Sequence, residues 1–249
     1  MSKGARDRGN AKRIVEQQRL AERRRLVMIW TSAAVAAVLV VSGLVGWAVY
    51  SSQHNATTNA SSATPAVAVD GGTAFAIGTG PVTVDLYEDF MCPICHEFET
   101  ATGPTVKELV ADNKITVRYH PVAILDSRSN GTNYSTRSAG AAAAAAQGGK
   151  FLQFHDALYA NQPEENSNGL TDAKLIEIGQ DVGLSDDAFA NAVKSRTYDS
   201  WATKATDTFS SRGYHGTPTV VVAGKMLTHA DGGIPTPDDL TAAVSKAAG

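Results

Sequence analysis

Two cysteines, Cys92 and Cys95, are the only thiols in the 249 residues, and they stand as the tetrapeptide Cys-Pro-Ile-Cys. Any disulfide within the chain must therefore join them. So short a loop hardly restrains the unfolded chain, so stabilisation is a poor reason for the bridge. A chain that used disulfides for stability in an oxidising compartment would spend more cysteines on it. The pair reads as redox-active: thiolate attack on a disulfide, then closure of the ring by the second sulfur.

Three other chemistries use the same residues. Zinc needs about four ligands, and no second Cys-x-x-Cys or His pair completes a set. A non-catalytic structural pair is a further reading. Residues 92–96, Cys-Pro-Ile-Cys-His, also fit the attachment pattern of a c-type haem, for which Met226 would be an axial candidate. Against haem, the preceding Val-Thr-Val-Asp-Leu-Tyr-Glu-Asp-Phe suits a buried strand feeding a helix, and His96 is then a first-turn residue beside the pair.

That strand-to-helix junction explains the reactivity. Residues 82–87 have strand composition, and after Cys92 the apolar residues Phe98, Leu109 and Val110 recur at helical spacing, with an interruption at Gly103-Pro104. A cysteine at a helix N-terminus lies beside unpaired N–H groups and the positive end of the dipole, which favours thiolate. Cys92 is expected to be the attacking sulfur and Cys95, one turn on, the less exposed resolving one.

Around this junction the sequence predicts strands at 73–78, 115–120 and 219–222, the last followed by a tight turn at Ala223-Gly224-Lys225. Helices are predicted over 136–160, 171–180, 185–194, 198–211 and 236–248, with Thr171 and Ser185 as capping candidates and Pro237 early in the last. The order gives an α/β sheet with an all-helical insertion at about 130–211. The alanine run Ala141–Ala146 reads as close helix packing.

The N-terminal part is of a different kind. Residues 1–26 carry nine basic and three acidic side chains, net +6, and the remainder 13 basic and 22 acidic, net −9. An acidic body argues against nucleic acid as its partner. Residues 27–50 run for 24 positions without a charge, enough to cross a bilayer core of about 30 Å. Trp30, Trp47 and Tyr50 sit near the ends, and Arg23–Arg25 abut the first. The expectation is one transmembrane helix, with the tail cytoplasmic and the C-terminal body outside. Residues 51–72 have linker composition, with a random-coil span of about 25 Å. The outer domain is then 73–249.

The ordered set Tyr-Glu-Asp-Phe-Met-Cys-Pro-Ile-Cys-His-Glu-Phe-Glu (87–99), Arg-Tyr-His-Pro-Val-Ala-Ile-Leu (118–125) and Gly-Thr-Pro-Thr-Val-Val-Val-Ala-Gly-Lys (216–225) resembles the membrane-anchored DsbA-like branch of the thioredoxin superfamily. The resemblance covers most of 73–249, including the helical insertion. It implies a thioredoxin fold, a reversible Cys92–Cys95 disulfide, no bound cofactor or metal, and a cis peptide between Thr217 and Pro218 beside the cysteines. An X-Pro bond has a cis penalty of only about 0.5–1 kcal/mol, so a fold can impose that isomer. Thr217 and Pro218 would present backbone to an extended substrate.

The implied activity is disulfide introduction into exported, cysteine-containing polypeptides, with reoxidation by a quinone-linked membrane partner. A reductase or isomerase would use the same residues, and a non-catalytic module that only binds polypeptides would keep the fold. The chain departs from its relatives in two places. The position six before the first cysteine, often acidic in the family, is Leu86, with Asp85, Glu88 and Asp89 nearby. The dipeptide between the cysteines is Pro-Ile, without histidine. Together these leave the proton acceptor for Cys95 and the direction of electron flow open.

Overall fold

A computed structural model describes residues 63–249. The basic tail, the apolar run 27–50 and the linker up to residue 62 lie outside the described residues. Among the described residues no helix is long and apolar enough to cross a membrane.

Five strands form one sheet: β1 (Phe75–Ile77), β2 (Val82–Glu88), β3 (Ile115–Pro121), β4 (Thr219–Val222) and β5 (Lys225–Leu227), in the order β1-β3-β2-β4-β5. The central strand β2 runs parallel to β3, with Leu86 beside Tyr119, and antiparallel to β4, with Leu86 beside Val220. Buried between two neighbours, β2 ends inside the molecule, and whatever follows it starts from the core. The β4–β5 turn places Ala223 and Gly224 at φ 47° and 77°. Two left-handed residues are what a two-residue hairpin loop requires.

After β2 come α1 (Pro93–Ala101) and α2 (Gly103–Ala111), interrupted at Thr102 as the Gly103-Pro104 pair predicts. The insertion holds α3 (Tyr134–Gln147), α4 (Phe151–Ala160), α5 (Asp172–Asp181), α6 (Asp187–Lys194) and α7 (Asp199–Ser211), and α8 (Pro237–Ala248) closes the chain. Ala139 and Ala141–Ala146 of α3 are all buried. Their small side chains let helices approach α3 from several sides, so the run is packing, as expected. The fold is thioredoxin-like with a helical insertion.

Two expectations are corrected. The cap of α6 is Asp186, whose carboxylate accepts from the Phe189 N–H at 3.2 Å, and not Ser185. A carboxylate gains from the positive helix end as well as from the bond. Thr171 caps α5 as predicted. The folded unit also starts before residue 73. Val69 bridges to Ala74, Asp70 pairs with Arg212 at 2.6 Å and Arg118 at 3.3 Å, and the Gly72 carbonyl accepts from the Trp201 indole N–H at 2.6 Å. Small residues gave 65–72 the look of linker, but its contacts are made by partners far along the chain.

Candidate functional site

Strand β2 delivers the chain to the site, and a turn at 89–92 redirects it. Cys92 is the N-cap of α1, extended at φ −76° and ψ 115°, and Pro93 begins the helix. Proline is favoured there because its missing N–H would have no helical partner. The Cys92 carbonyl accepts from the N–H groups of Cys95 and His96 at 3.1 and 3.3 Å. Cys92 is 6% exposed and Cys95 has no exposed surface.

The Thr217–Pro218 peptide is cis, as expected. It brings the Thr217 carbonyl oxygen to 3.4 Å from the Cys92 sulfur, which donates to it as a thiol. The Thr217 hydroxyl is buried with no hydrogen-bond partner among the described residues. Thus all four residues expected at the site, Cys92, Cys95, Thr217 and Pro218, come together. An open groove of about 440 Å³ runs alongside, lined among others by Ile94, Tyr214, Pro218, Met226 and Ile234. Ile94 and Met226 are 41% and 53% exposed, large apolar side chains left open on this groove.

The two sulfurs are treated oppositely. The Cys92 pKa falls to about 6: the Cys95 thiol, the Thr217 hydroxyl and the backbone N–H groups of Cys95 and Ile94 favour its thiolate against the cost of burial. The Cys95 pKa is raised well above 9.0, first by burial, then by its hydrogen bond to Cys92 and the charge of Glu88. One sulfur is a ready nucleophile and leaving group, and the other holds its proton. With Cys95 wholly buried, joining both sulfurs to a haem would require the start of α1 to come away from the core.

The acids near the pair are resolved by strand alternation. Asp85, Glu88 and Asp89 are all buried, at 5%, 3% and 0% exposed. Asp85 faces one side of the sheet, where it accepts from both Arg118 Nε and Nη2 and meets His120 Nε2 at 3.0 Å. Burial pushes its carboxyl up, but these partners outweigh burial and hold it below the ordinary carboxylate value. Glu88 faces the other side, toward α1 and α4. Its Oε2 meets His155 Nε2 at 3.0 Å, and His155 Nδ1 meets Asp156 at 3.2 Å.

Glu99, one turn beyond Cys95 on α1, completes this second cluster. Burial and the charge of Glu88 push its carboxyl up to about 8. Burial opposes charge on His155, yet Asp156 and Glu88 raise its pKa to about 10. Ligand atoms of Glu88, Glu99 and His155 lie within 4.8 Å of one another, as do those of Asp70, Asp85 and His120, so either set has a metal-like arrangement. Arg118 and Arg212 already neutralise the second set. In the first, the imidazolium and a protonated Glu99 do so with protons.

Gln162, just past α4, braces the redox turn. Its amide donates to the carbonyls of Cys92 at 2.9 Å and Phe90 at 3.2 Å, and its oxygen meets His96 Nδ1 at 3.2 Å. The sequence reading missed Glu99, His155 and Gln162. A signal existed for His155: Phe151, His155, Leu158 and Tyr159 share one helix face at i, i+4 and i+7, i+8 spacing, and that face is buried.

The family model described as thioredoxin matches residues 71–246. Among solved structures, the chain superimposes on the reduced disulfide bond oxidoreductase DsbG of Mycobacterium tuberculosis with TM-score 0.61 and 32% identity, covering 72% of this chain and 88% of that one. It also superimposes on reduced DsbA of the same organism, with TM-score 0.61 and 31% identity, covering 71% and 93%. A curated relative, the serine/threonine-protein kinase PknE of M. tuberculosis, is 32% identical over 161 residues, 61% of this chain. The match spans only 28% of the kinase's own length. By the family model and by both superpositions, the chain belongs to the thioredoxin family, in its DsbA-like branch of thiol–disulfide oxidoreductases.

Proposed function

We propose that Cys92 and Cys95 are the redox pair of a membrane-tethered enzyme that introduces disulfides into exported, cysteine-containing polypeptides. The observation that carries this reading is the opposed acidity of the two sulfurs, Cys92 near 6 and Cys95 well above 9.0. A stabilised Cys92 thiolate stabilises the reduced enzyme, and an enzyme stable when reduced is an oxidant of its substrates.

In the oxidised enzyme a substrate thiolate attacks the Cys92 sulfur. The Cys92–Cys95 bond breaks, its electron pair leaves on Cys95, and Cys95 takes a proton. Glu99, whose carboxyl stays protonated up to about 8, is the proton store one turn from Cys95, and the charge of Glu88 favours the proton on Cys95. A second substrate thiolate then attacks the substrate sulfur of the mixed disulfide. Cys92 leaves as thiolate, and its low pKa makes it a good leaving group. Thr217 and Pro218 bind the substrate backbone beside the sulfur, and the groove by Ile94 and Met226 takes its apolar side chains.

The charge-free run 27–50, flanked by Arg23–Arg25, supports an anchor with the domain outside. An anchored domain would be held near a quinone-linked membrane partner that reoxidises it. The test is a pair of substitutions in the full chain. Cys92→Ser should abolish exchange with a dithiol peptide, and Cys95→Ser should accumulate mixed disulfides between Cys92 and exported polypeptides. Unchanged exchange in the first, or no trapped polypeptide in the second, contradicts the reading.

A further inference from the structure

Asp89 follows β2 and stands three positions before Cys92, with none of its surface exposed. Its carboxylate is held from three directions. Oδ1 accepts from the Met91 N–H at 2.9 Å and the Ser135 hydroxyl at 2.7 Å, and Oδ2 accepts from the Leu125 N–H at 2.9 Å. Met91 belongs to the redox turn, Leu125 to the connection after β3, and Ser135 to the first turn of α3. The Asp89 carbonyl accepts in addition from the Cys92 N–H at 2.9 Å and the Tyr159 hydroxyl at 3.4 Å. One residue therefore ties the turn that carries the attacking sulfur to two helices of the insertion and to the connection before it.

Neutral packing could join these elements; a carboxylate adds charge. All three of its donors are neutral. The titratable groups that act on it or feel its charge are Cys92 of the redox turn, Tyr134 of α3 and Tyr159 of α4, each neutral or anionic. Burial pushes the carboxyl up to about 7 against the pull of its three hydrogen bonds, and charge on Cys92 adds to the rise.

We propose that Asp89 is a positioning residue which clamps the Cys92 turn to the helical insertion and whose charge opposes charge on the Cys92 sulfur, so that the clamp tightens when that sulfur enters a disulfide. The proposal rests on Cys92 being the exchanging sulfur. Coupling of this kind is reciprocal: a Cys92 thiolate that favours the proton on Asp89 is itself disfavoured by an ionised Asp89. When a substrate dithiol reduces the enzyme, the enzyme disulfide breaks, the substrate disulfide forms, and two electrons and two protons are released to the enzyme side. Cys95 keeps one proton. The other, which the Cys92 thiolate does not hold, is shared between Asp89 and solvent. Protonation of Asp89 weakens charge-assisted bonds to Met91, Leu125 and Ser135, since these are stronger to an ionised acceptor. Reoxidation removes the charge on Cys92, lets Asp89 ionise, and restores the clamp.

The test uses two measurements on the full-length protein. Asp89→Asn keeps the size and the Oδ1 acceptor and removes the charge. The Cys92 titration, followed by thiolate ultraviolet absorbance, should move to lower pH by about one unit, a tenfold gain in thiolate at a given acid pH. In the parent, the Asp89 carboxyl, followed by isotope-edited infrared spectroscopy, should titrate at lower pH in the oxidised protein than in the reduced one. A folded Asp89→Asn protein with an unmoved Cys92 titration overturns the proposal. So does an Asp89 carboxyl with the same midpoint in both redox states, a result that stands even where the variant does not fold. Exchange by the parent with a dithiol peptide, assayed separately, decides the role of Cys92 and leaves these titrations as the test of the clamp.

Discussion

The carbonyl oxygen of Thr217 lies 3.4 Å from the sulfur of Cys92, although 125 positions separate the two residues. The same residue buries a hydroxyl with no partner among the described residues, and that hydroxyl favours the thiolate at both cysteines. Thr217 thus serves in two ways: its backbone is placed for substrate, and its side chain waits for a charge that exists only after ionisation. Thr217→Val keeps the shape and removes the donor. The Cys92 pKa should rise by about one unit, the scale of a lost hydrogen bond to a charged group. Iodoacetamide labelling rates against pH measure it, and an unmoved midpoint would show the hydroxyl to be idle.

The depressed Cys92 pKa has a consequence for stability. Its folded value is about 6 against an ordinary 9.0, so the reduced folded state releases a proton that the unfolded chain retains between those values. Stability from this source is fully present above pH 9 and is lost as pH falls through 6. The contribution is about 4 kcal/mol above pH 9 and about 1.4 kcal/mol at pH 7. Urea unfolding of the reduced protein and of Cys92→Ser should give curves that diverge between pH 6 and 9. Parallel curves would mean that the thiolate is not stabilised.

Glu88 and Glu99 face the same histidine and should respond differently to loss of charge. Glu88 and His155, at 3% and 1% exposed, form a buried pair at 3.0 Å. Glu88→Gln leaves the imidazolium facing only Asp156, which should cost roughly 3–5 kcal/mol. Glu99 is held protonated up to about 8, so glutamine replaces one neutral donor with another; it should cost less than about 1 kcal/mol at acid pH and stabilise the protein at pH 7, where the folded parent holds a proton that its unfolded chain has lost.

The two variants also differ in pH response. Between 4.5 and 8 the folded state holds a Glu99 proton that the unfolded chain has lost, so this group lowers stability as pH rises through that window. Glu99→Gln should abolish that slope. Equal losses in the two variants at pH 7 in chemical denaturation would contradict the assignment of charge.

Much of the site was legible because its signals are local. A strand pattern ending at a Cys-x-x-Cys pair, a proline after the first cysteine and a Thr-Pro before a run of valines each carry their geometry within a few residues. The acids show where local signals stop. Alternation says that Leu86 and Glu88 share a face, but not that both faces of β2 are covered. Glu88 is tolerated in the core because His155 reaches it from 67 positions away, and Asp85 because Arg118 and His120 do from the neighbouring strand. Residues 65–72 follow the same logic: their composition is that of a linker, and their order comes from Arg118, Trp201 and Arg212. Ser185 lost the cap of α6 to Asp186 by a single position, a choice settled by where the first helical residue falls.

The most direct test of the proposed direction of electron flow is the reduction potential of the Cys92–Cys95 pair, equilibrated against glutathione. A Cys92 thiolate stabilised at neutral pH predicts a value near about −120 mV, the range of strong disulfide donors. A value near about −270 mV would place the pair with reductants and contradict disulfide introduction.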